Sequence, residues 1–373
     1  MINFDNSATS FPKPAAVARA VSAAVSRYGG NPGRGGHRLS AEAARKVFEV
    51  RSLAADMFHA QVENVAFTQN CTYALNMAIK GIAQFGGHII ISDYEHNAVA
   101  RPVYALWKTR GVQFSVARVA DDDEKTVANF RELIRSDTRA VVCTAASNVT
   151  GRILPYRKLA AMCRESEICF IVDAAQAAGV LDITLDDGID FICTAGHKSL
   201  YGPTGTGLLI SSGRFALSTI IEGGTGATSA ELAQTDFMPE KLESGTLNTV
   251  GIIGLGEGLR FVAGRTPERI RQHELRLCEQ FEQMLSQDKR VKIYERGVPR
   301  VPVVAFNVGQ THSEQIAQQL SAKGFALRGG LQCAALAHTT LGTLEQGVVR
   351  FSPSAFSDSS QVSALVRIVQ NLG

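Results

Sequence analysis

Between residues 88 and 211 the chain alternates between short apolar runs and amphipathic stretches, and this alternation restricts the fold more than any other feature. "HIIIS" (88–92), "AVVCTAA" (140–146), "CFIVDAA" (169–175), "DFICTA" (190–195) and "GLLIS" (207–211) are almost uniformly apolar, rich in Ile and Val, and bounded by Gly, Asp or Asn. Uniform apolar runs of this length are strands buried on both faces. Stretches 97–109 and 155–166 carry helical spacing between them. Parallel neighbours need a crossover of a dozen or more residues, which a helix supplies. The expected fold class is therefore α/β, with a mostly parallel sheet covered on both faces.

In such sheets a ligand sits beyond the carboxyl ends of the strands. Asn148, Asp173, Gln176, His197 and Lys198 all lie at or just after those ends. A long helix is expected from about 250 to 285, broken near Pro267. Strands at 301–308 and 347–353, with a helix at 313–323 between them, predict a smaller α+β unit. The expected division is a large domain at 14–255 and a small domain formed by 1–13 and 256–373.

Composition narrows the function classes. With 373 residues, 45% of them hydrophobic and 20% charged, the chain can bury a large core. A net charge of +3 without a basic run gives no support for a nucleic-acid or membrane partner. No apolar stretch is long enough for a transmembrane helix. "MINFDNSATSFPKPAAV" lacks the charged start and apolar centre of a signal peptide, so a cytoplasmic protein is expected. The seven cysteines are odd in number and contain no Cys-x-x-Cys pair, which suggests neither a disulfide framework nor a zinc site; no metal is expected. Most sit in apolar surroundings as inert core thiols. Cys333, in "LRGGLQCAALAH", is the exception.

The segment "TAGHKSLYGPTGTGLLI" places Lys198 directly after a buried strand and before a glycine-rich turn. An amine there is suited to condense with a carbonyl. An aldehyde cofactor such as pyridoxal 5′-phosphate needs that lysine, a carboxylate for its ring nitrogen, a flat group over the ring and a phosphate cradle. Asp173 is the candidate carboxylate, although an Asp after a strand often caps the next helix. His96, in "SDYEHNAVARP", is the candidate ring plate and proton shuttle, with helix capping as the plain alternative. "TQNCTYALNMAI" places Cys71 and Thr72 at a helix start, where amides face an anion. His197 offers one more phosphate donor.

The motifs "NFDNSATSFPKP", "GNPGRGGHRLS", "EHNAVARP", "SNVTG", "DAAQAAG", "GHKSLYGPTGTG", "ESGTLNTVGIIGLG" and "RGGLQCAALAH" occur in this order over nearly the whole chain. Their order and spacing resemble the class V aminotransferase-like family of fold type I, and more narrowly the cysteine desulfurases, closer to group II. The resemblance implies that Lys198 forms the Schiff base with pyridoxal 5′-phosphate. It pairs Asp173 with the pyridine nitrogen, gives Gln176 the ring phenolic oxygen and stacks His96 on the ring. Cys71, Thr72 and His197 would contact the phosphate, with Asn148 beside the cofactor and the substrate carboxylate. Arg350, in "VVRFSPS", would pair with that carboxylate; read without the resemblance it is a solvated strand end. Thr246, in "SGTLN", would reach the phosphate of the other subunit, so a homodimer is implied.

Cys333 matches the nucleophile of the desulfurases. Its glycines imply a mobile loop, and Arg328 is a nearby cation of the kind that favours thiolate; Arg328 joins Asn148 and Arg350 as an expected substrate contact. The implied reaction converts L-cysteine to L-alanine and leaves a persulfide on Cys333, with selenocysteine lyase activity and a sulfur-acceptor protein also within the resemblance. Another class V reaction, transamination or β-elimination, would leave Cys333 without a covalent role; a non-catalytic scaffold would leave Lys198 without one. Two departures stand out. Gln332 stands where group II often has histidine, so the resemblance implies no proton role at that position, and Ala195 replaces a common serine, with Thr194 expected to point the wrong way to substitute.

Overall fold

The computed structural model describes residues 1–33 and 35–372. Strand β1 (Ile2–Asn3) is followed by helices α1 (Ala15–Arg27) and α2 (Arg38–Phe58). Next come β2 (Val65–Thr68), α3 (Cys71–Ile82), β3 (His88–Ser92), α4 (Asn97–Arg110), β4 (Gln113–Ala117), α5 (Asp123–Arg131) and β5 (Thr138–Thr144). The middle closes with α6 (Tyr156–Glu165), β6 (Cys169–Asp173), β7 (Phe191–Ala195) and β8 (Gly207–Ser211). Helices α7 (Thr249–Arg265) and α8 (Pro267–Leu285) lead into β9 (Val291–Ile293), β10 (Val304–Val308), α9 (Ser313–Ala322), β11 (Phe325–Ala326), α10 (Ala335–Leu341), β12 (Val349–Phe351) and α11 (Ser359–Gln370).

Seven strands form the central sheet in the order β2-β8-β7-β6-β5-β3-β4. Pairing is parallel from β7 through β6, β5 and β3 to β4, while β8 runs antiparallel to both β7 and β2. The expected mostly parallel α/β sheet is what the chain forms. Strands β3, β6, β7 and β8 are buried along their whole length, and β5 from Ala140 onward, as continuous apolar runs require. One apolar core includes Val47, Val141, Phe170, Ile192 and Leu255, and a second includes Leu75, Ile91, Val103 and Ile171.

A separate core around Phe281, Phe306 and Phe351 sits beside an antiparallel sheet of order β12-β10-β9. The N-terminus joins this part: Ile2 and Asn3 pair with Phe325 and Ala326. The break between α7 and α8 falls at Thr266, which has a φ of 64° and caps α8 by accepting from the Arg269 amide. Pro267 occupies the first turn of α8, where its missing N–H costs nothing.

Register aligns the rim that matters. Thr144 pairs with Asp173, and Asp173 with Cys193, so the carboxyl ends of β5, β6 and β7 lie side by side. Ala195 pairs with Gly207, which makes residues 196–206 the connection of a β7–β8 hairpin at that same rim. Lys198 sits in this connection.

Candidate active site

A cavity of about 220 Å3 opens at the carboxyl ends of β5, β6 and β7. Cys71, Thr72, His96, Asn148, Asp173, Gln176, His197, Lys198, Arg328 and Arg350 all line it. Residues separated by up to 279 positions in sequence thus converge on one space. A larger hollow of about 340 Å3 lies over the buried Arg51–Glu243 pair. That pair is bidentate, at 2.7 and 2.9 Å, and so satisfies its own charges. The titratable and unsatisfied polar groups gather in the smaller cavity instead.

The lysine turn is held by backbone packing. A Cβ on Gly179 would lie 2.2 Å from the Ser199 carbonyl oxygen, so the "DAAQAAG" segment approaches the turn as only glycine permits. From the other side, Ser10 Oγ donates to the Lys198 carbonyl at 2.8 Å, and Lys13 Nζ donates to the His197 carbonyl at 2.7 Å. Burial pushes the Lys198 amine down from its ordinary value, while Asp173 works in the opposite direction. Burial also lowers the Lys13 amine to about 8.

Asp173 and His96 each combine the two uses that the sequence left open. Asp173 Oδ1 accepts from the Ala175 amide at 2.9 Å and from the Cys71 thiol at 3.4 Å, and the same carboxylate faces the cavity. His96 Nδ1 accepts from the Ala98 amide at 3.0 Å, capping α4. That bond fixes the proton on Nε2 of the neutral ring. Burial lowers the pKa of His96 to about 4, and that of His197 likewise, so both rings are neutral near pH 7. Cys71 is held as a thiol by burial and by Asp173.

Among the described residues, three buried polar atoms around the cavity have no hydrogen-bond partner: Asn148 Oδ1, His197 Nδ1 and Arg350 Nε. Asn148 donates through Nδ2 to the Gln332 carbonyl at 2.8 Å, and that contact fixes which end of its amide is left over. A buried acceptor on one side and a guanidinium N–H on another await a ligand carrying both a donor and an anion. At the far side, Asn70 Oδ1 caps α3 by accepting from the Tyr73 amide at 3.0 Å, while Cys71 and Thr72 occupy the first helical positions. A Cβ on Gly207 would come within 2.6 Å of the Asn70 backbone, so glycine there lets the cradle close. These features fit a phosphate-bearing aldehyde whose anion rests on the α3 N-terminus.

Arg350 differs from a solvated strand end. It is 1% exposed, donates through Nη2 to Asp5 Oδ1 at 2.8 Å and through Nη1 to the Asn148 carbonyl at 2.9 Å. Thr246 is the one expected cofactor contact outside the cavity. It is exposed, within 3.3 Å of Asn31 Nδ2, and lines a neighbouring hollow with Thr68 and Tyr73. Thr194 points away from the cavity and bonds the Ala174 carbonyl at 3.4 Å, while Ala195 faces in.

Cys333 is exposed and the other six cysteines are buried. Its Sγ lies 3.5 Å from Arg328 Nη2, at the edge of the cavity that Arg328 and Gln332 line.

Over residues 2–365 the chain matches the family Aminotransferase class-V. It belongs to the class V aminotransferase family. Relatives within that family include a probable cysteine desulfurase of Pyrococcus abyssi, 30% identical over the whole chain and 94% of the relative. A cysteine desulfurase of Yersinia pestis is 33% identical over 81% of this chain and 76% of its own length. Among solved structures, the apo cysteine desulfurase of Thermococcus onnurineus superposes with a TM-score of 0.92 at 29% identity, covering 99% of this chain and 94% of that one. The cysteine desulfurase CsdA of Escherichia coli gives 0.88 at 26% identity, covering 98% and 93%. The class V fold is thus the fold type I arrangement anticipated from the motifs.

Several cavity residues of this family member were not singled out from sequence. Ser7 and Ala8 line the wall, and Gln176 Nε2 donates to the Ser7 carbonyl at 3.0 Å. The quoted "NFDNSATSFPKP" motif was the available signal. Glu95 is wholly buried behind His96, accepts from the Thr144 amide at 2.8 Å, and has its carboxyl pushed up to about 8 by burial. It opens the quoted "EHNAVARP" motif, which was the available signal.

Proposed function

We propose that this protein is a pyridoxal-phosphate-dependent cysteine desulfurase, forming L-alanine from L-cysteine with a persulfide on Cys333. The observation that carries the reading is the placement of the single exposed cysteine, beside Arg328, on the turn that borders the Lys198 cavity. A transaminase or β-lyase has no use for a thiol there. The names of the relatives point the same way.

Bound pyridoxal phosphate would supply an aldehyde for the substrate amine and an electron-withdrawing ring. Lys198 would hold that aldehyde and afterwards carry protons at the substrate Cα. The Asp173 carboxylate would stand opposite the ring nitrogen, and neutral His96 would cover the ring. Cys71, Thr72 and His197 would bind the phosphate, with Thr246 contributing across a homodimer. Arg350, held in place by Asp5, would present its N–H groups to the substrate carboxylate, beside Asn148.

In the sulfur step, Cys333 Sγ bonds to the substrate sulfur as the Cβ–S bond breaks. The electron pair of that bond stays with carbon, which takes a proton to become the methyl group of alanine. One thiol and one cysteine thus give one persulfide and one alanine, and no oxidant is consumed. A thiol then accepts the sulfur.

The test is incubation of purified protein with L-cysteine and a reductant. Equal amounts of alanine and sulfide are expected. Pyruvate and ammonia in place of alanine, with sulfide released all the same, would establish β-elimination and remove the persulfide from the scheme.

A further inference from the structure

The turn that carries Cys333 is built against its backbone preferences. Gln332 and Cys333 have φ values of 42° and 59°, so two consecutive non-glycine residues occupy the left-handed region. Such positions persist only where the surroundings over-determine them. The surroundings here are specific.

Gln332 is 2% exposed between two accessible neighbours, Leu331 and Cys333. Its side chain turns inward. Nε2 donates to the Val348 carbonyl at 2.9 Å and is 3.4 Å from the Arg328 carbonyl. Carbonyls only accept, so the amide orientation is fixed and Oε1 must face His338 Nε2, 3.0 Å away. His338 Nε2 therefore carries the proton. Its bare Nδ1 accepts from Thr343 Oγ1 at 2.7 Å. Burial lowers the His338 pKa, which keeps the ring neutral. Every polar atom in this chain of three side chains has a single consistent role.

The backbone of the same turn is tied to the cavity. The Gln332 carbonyl accepts from Asn148 Nδ2, and the Cys333 carbonyl accepts from the Asn97 amide at 2.8 Å, next to His96. The side chain of residue 332 thus anchors inward, its carbonyl and the next engage the cavity walls, and the thiol is left outside.

We infer that Gln332 is a positioning residue for Cys333, and that His338 and Thr343 act behind it to hold the thiol at the cavity mouth. The inference rests on the desulfurase reading for its consequence in turnover, but the placement of the thiol can be tested without turnover.

The experiment uses the holoenzyme and three variants. In Gln332→Glu, an anionic oxygen replaces the N–H group that faces two carbonyls. Two readouts are taken: the alkylation rate of each cysteine by iodoacetamide, followed by peptide mass spectrometry, and kcat and KM for L-cysteine. Release of the turn should quicken alkylation of Cys333 by about threefold or more, while kcat falls by about tenfold, the scale of one lost buried hydrogen bond. KM should change by a smaller factor than kcat, because the altered side chain itself touches no substrate and acts through the turn. The six buried cysteines, the internal control, should stay unreactive. Thr343→Val should shift both readouts in the same directions by a smaller factor, and Thr343→Ser should restore both. Cys333 alkylation and kcat unchanged in Gln332→Glu would overturn the inference. General reactivity of the buried cysteines would also overturn it, since the side chain would then support the fold and not the thiol. Should Gln332→Glu not fold, the Thr343 pair decides by the same criteria. If the wild-type protein makes no alanine from cysteine, the proposed function fails, and the alkylation rates still judge the positioning.

Discussion

Arg350 on β12 and Asp5, near the opposite end of the chain, form an ion pair of 2.8 Å at the cavity wall. Arg350 is almost fully buried, so its charge needs a partner inside the protein. Asp5 supplies it and leaves Nε unpartnered. The N-terminal segment is in this way part of the site.

Removing Asp5 should therefore affect stability and substrate use together. Asp5→Ala is expected to cost about 3 kcal/mol of folding free energy, the bottom of the range for a broken buried pair, since Asp5 itself is partly exposed. Asp5→Asn keeps an acceptor oxygen and should cost less. Urea unfolding reads the first effect, and KM for L-cysteine should rise in both variants as the guanidinium loses its anchor. An Asp5→Ala protein with unaltered midpoint and KM would show that Arg350 needs no such partner.

A second pair ties the lysine turn to pH. Tyr201, three residues after Lys198, donates its hydroxyl to Glu274 Oε1 at 3.1 Å and accepts from the Ala355 amide at 2.9 Å. Burial raises the Glu274 carboxyl from 4.5 to about 8. The folded form thus holds a proton that the unfolded chain releases near its ordinary carboxyl value. The sign follows: the stabilisation is fully present below about pH 4.5 and is lost as pH rises to about 8. Glu274→Gln keeps the acceptor for Tyr201 and cannot ionise. Its Tm should fall less than that of wild type between pH 5 and pH 8, with the two curves closest at the acid end. Glu95, raised to about 8, remains in both proteins, so the difference between them isolates Glu274. Parallel curves would mean that Glu274 is not a buried neutral acid.

Much of this site was legible in the sequence because strand ends concentrate it. Asp173 ends β6, Lys198 follows β7, His96 follows β3 and Asn148 follows β5, so apolar runs alone located them. Strands β2 and β4 escaped detection. β2 has four residues, only three of them apolar. β4 is the sheet edge, half exposed, and its "QFSVA" is too short and mixed to stand out. Asp5 had no local signal, since its role exists only once β12 brings Arg350 to it. The Cys333 loop shows the same limit. Its glycines imply mobility, yet contacts to Val348, His338, Asn148 and Asn97, three of them far from it in sequence or in another element, pin it.

The lysine itself is tested by Lys198→Ala. Its turn is fixed by the carbonyl contacts of Ser10 and Lys13 and by close approach at Gly179, none of which uses the side chain. The variant should fold normally by circular dichroism and thermal melting. It should lose alanine production and should release pyridoxal phosphate on dialysis more readily than wild type, because the α3 cradle alone would retain it. Full turnover in this variant would remove Lys198 from the chemistry.

Cys333→Ala separates the sulfur step from everything before it. The thiol is exposed, its side-chain hydrogen-bond contact among the described residues is with Arg328, and the turn is held by the backbone and by Gln332. Deleting the sulfur should therefore leave the fold, the cavity and pyridoxal phosphate binding unchanged. Alanine formation from L-cysteine should fall by at least about a hundredfold, as expected when a covalent nucleophile is removed. No other cysteine can substitute: the remaining six are buried, and burial raises the pKa of each well above that of an ordinary thiol. Mass spectrometry of the wild-type protein after exposure to L-cysteine should find one added sulfur on the peptide containing Cys333 and on none of the others. Selenocysteine turnover should suffer less in the variant, since selenium leaves carbon more easily without a nucleophile to take it. Undiminished alanine production by Cys333→Ala, or an added sulfur on one of the buried cysteines, would mean that the exposed thiol is not the sulfur carrier.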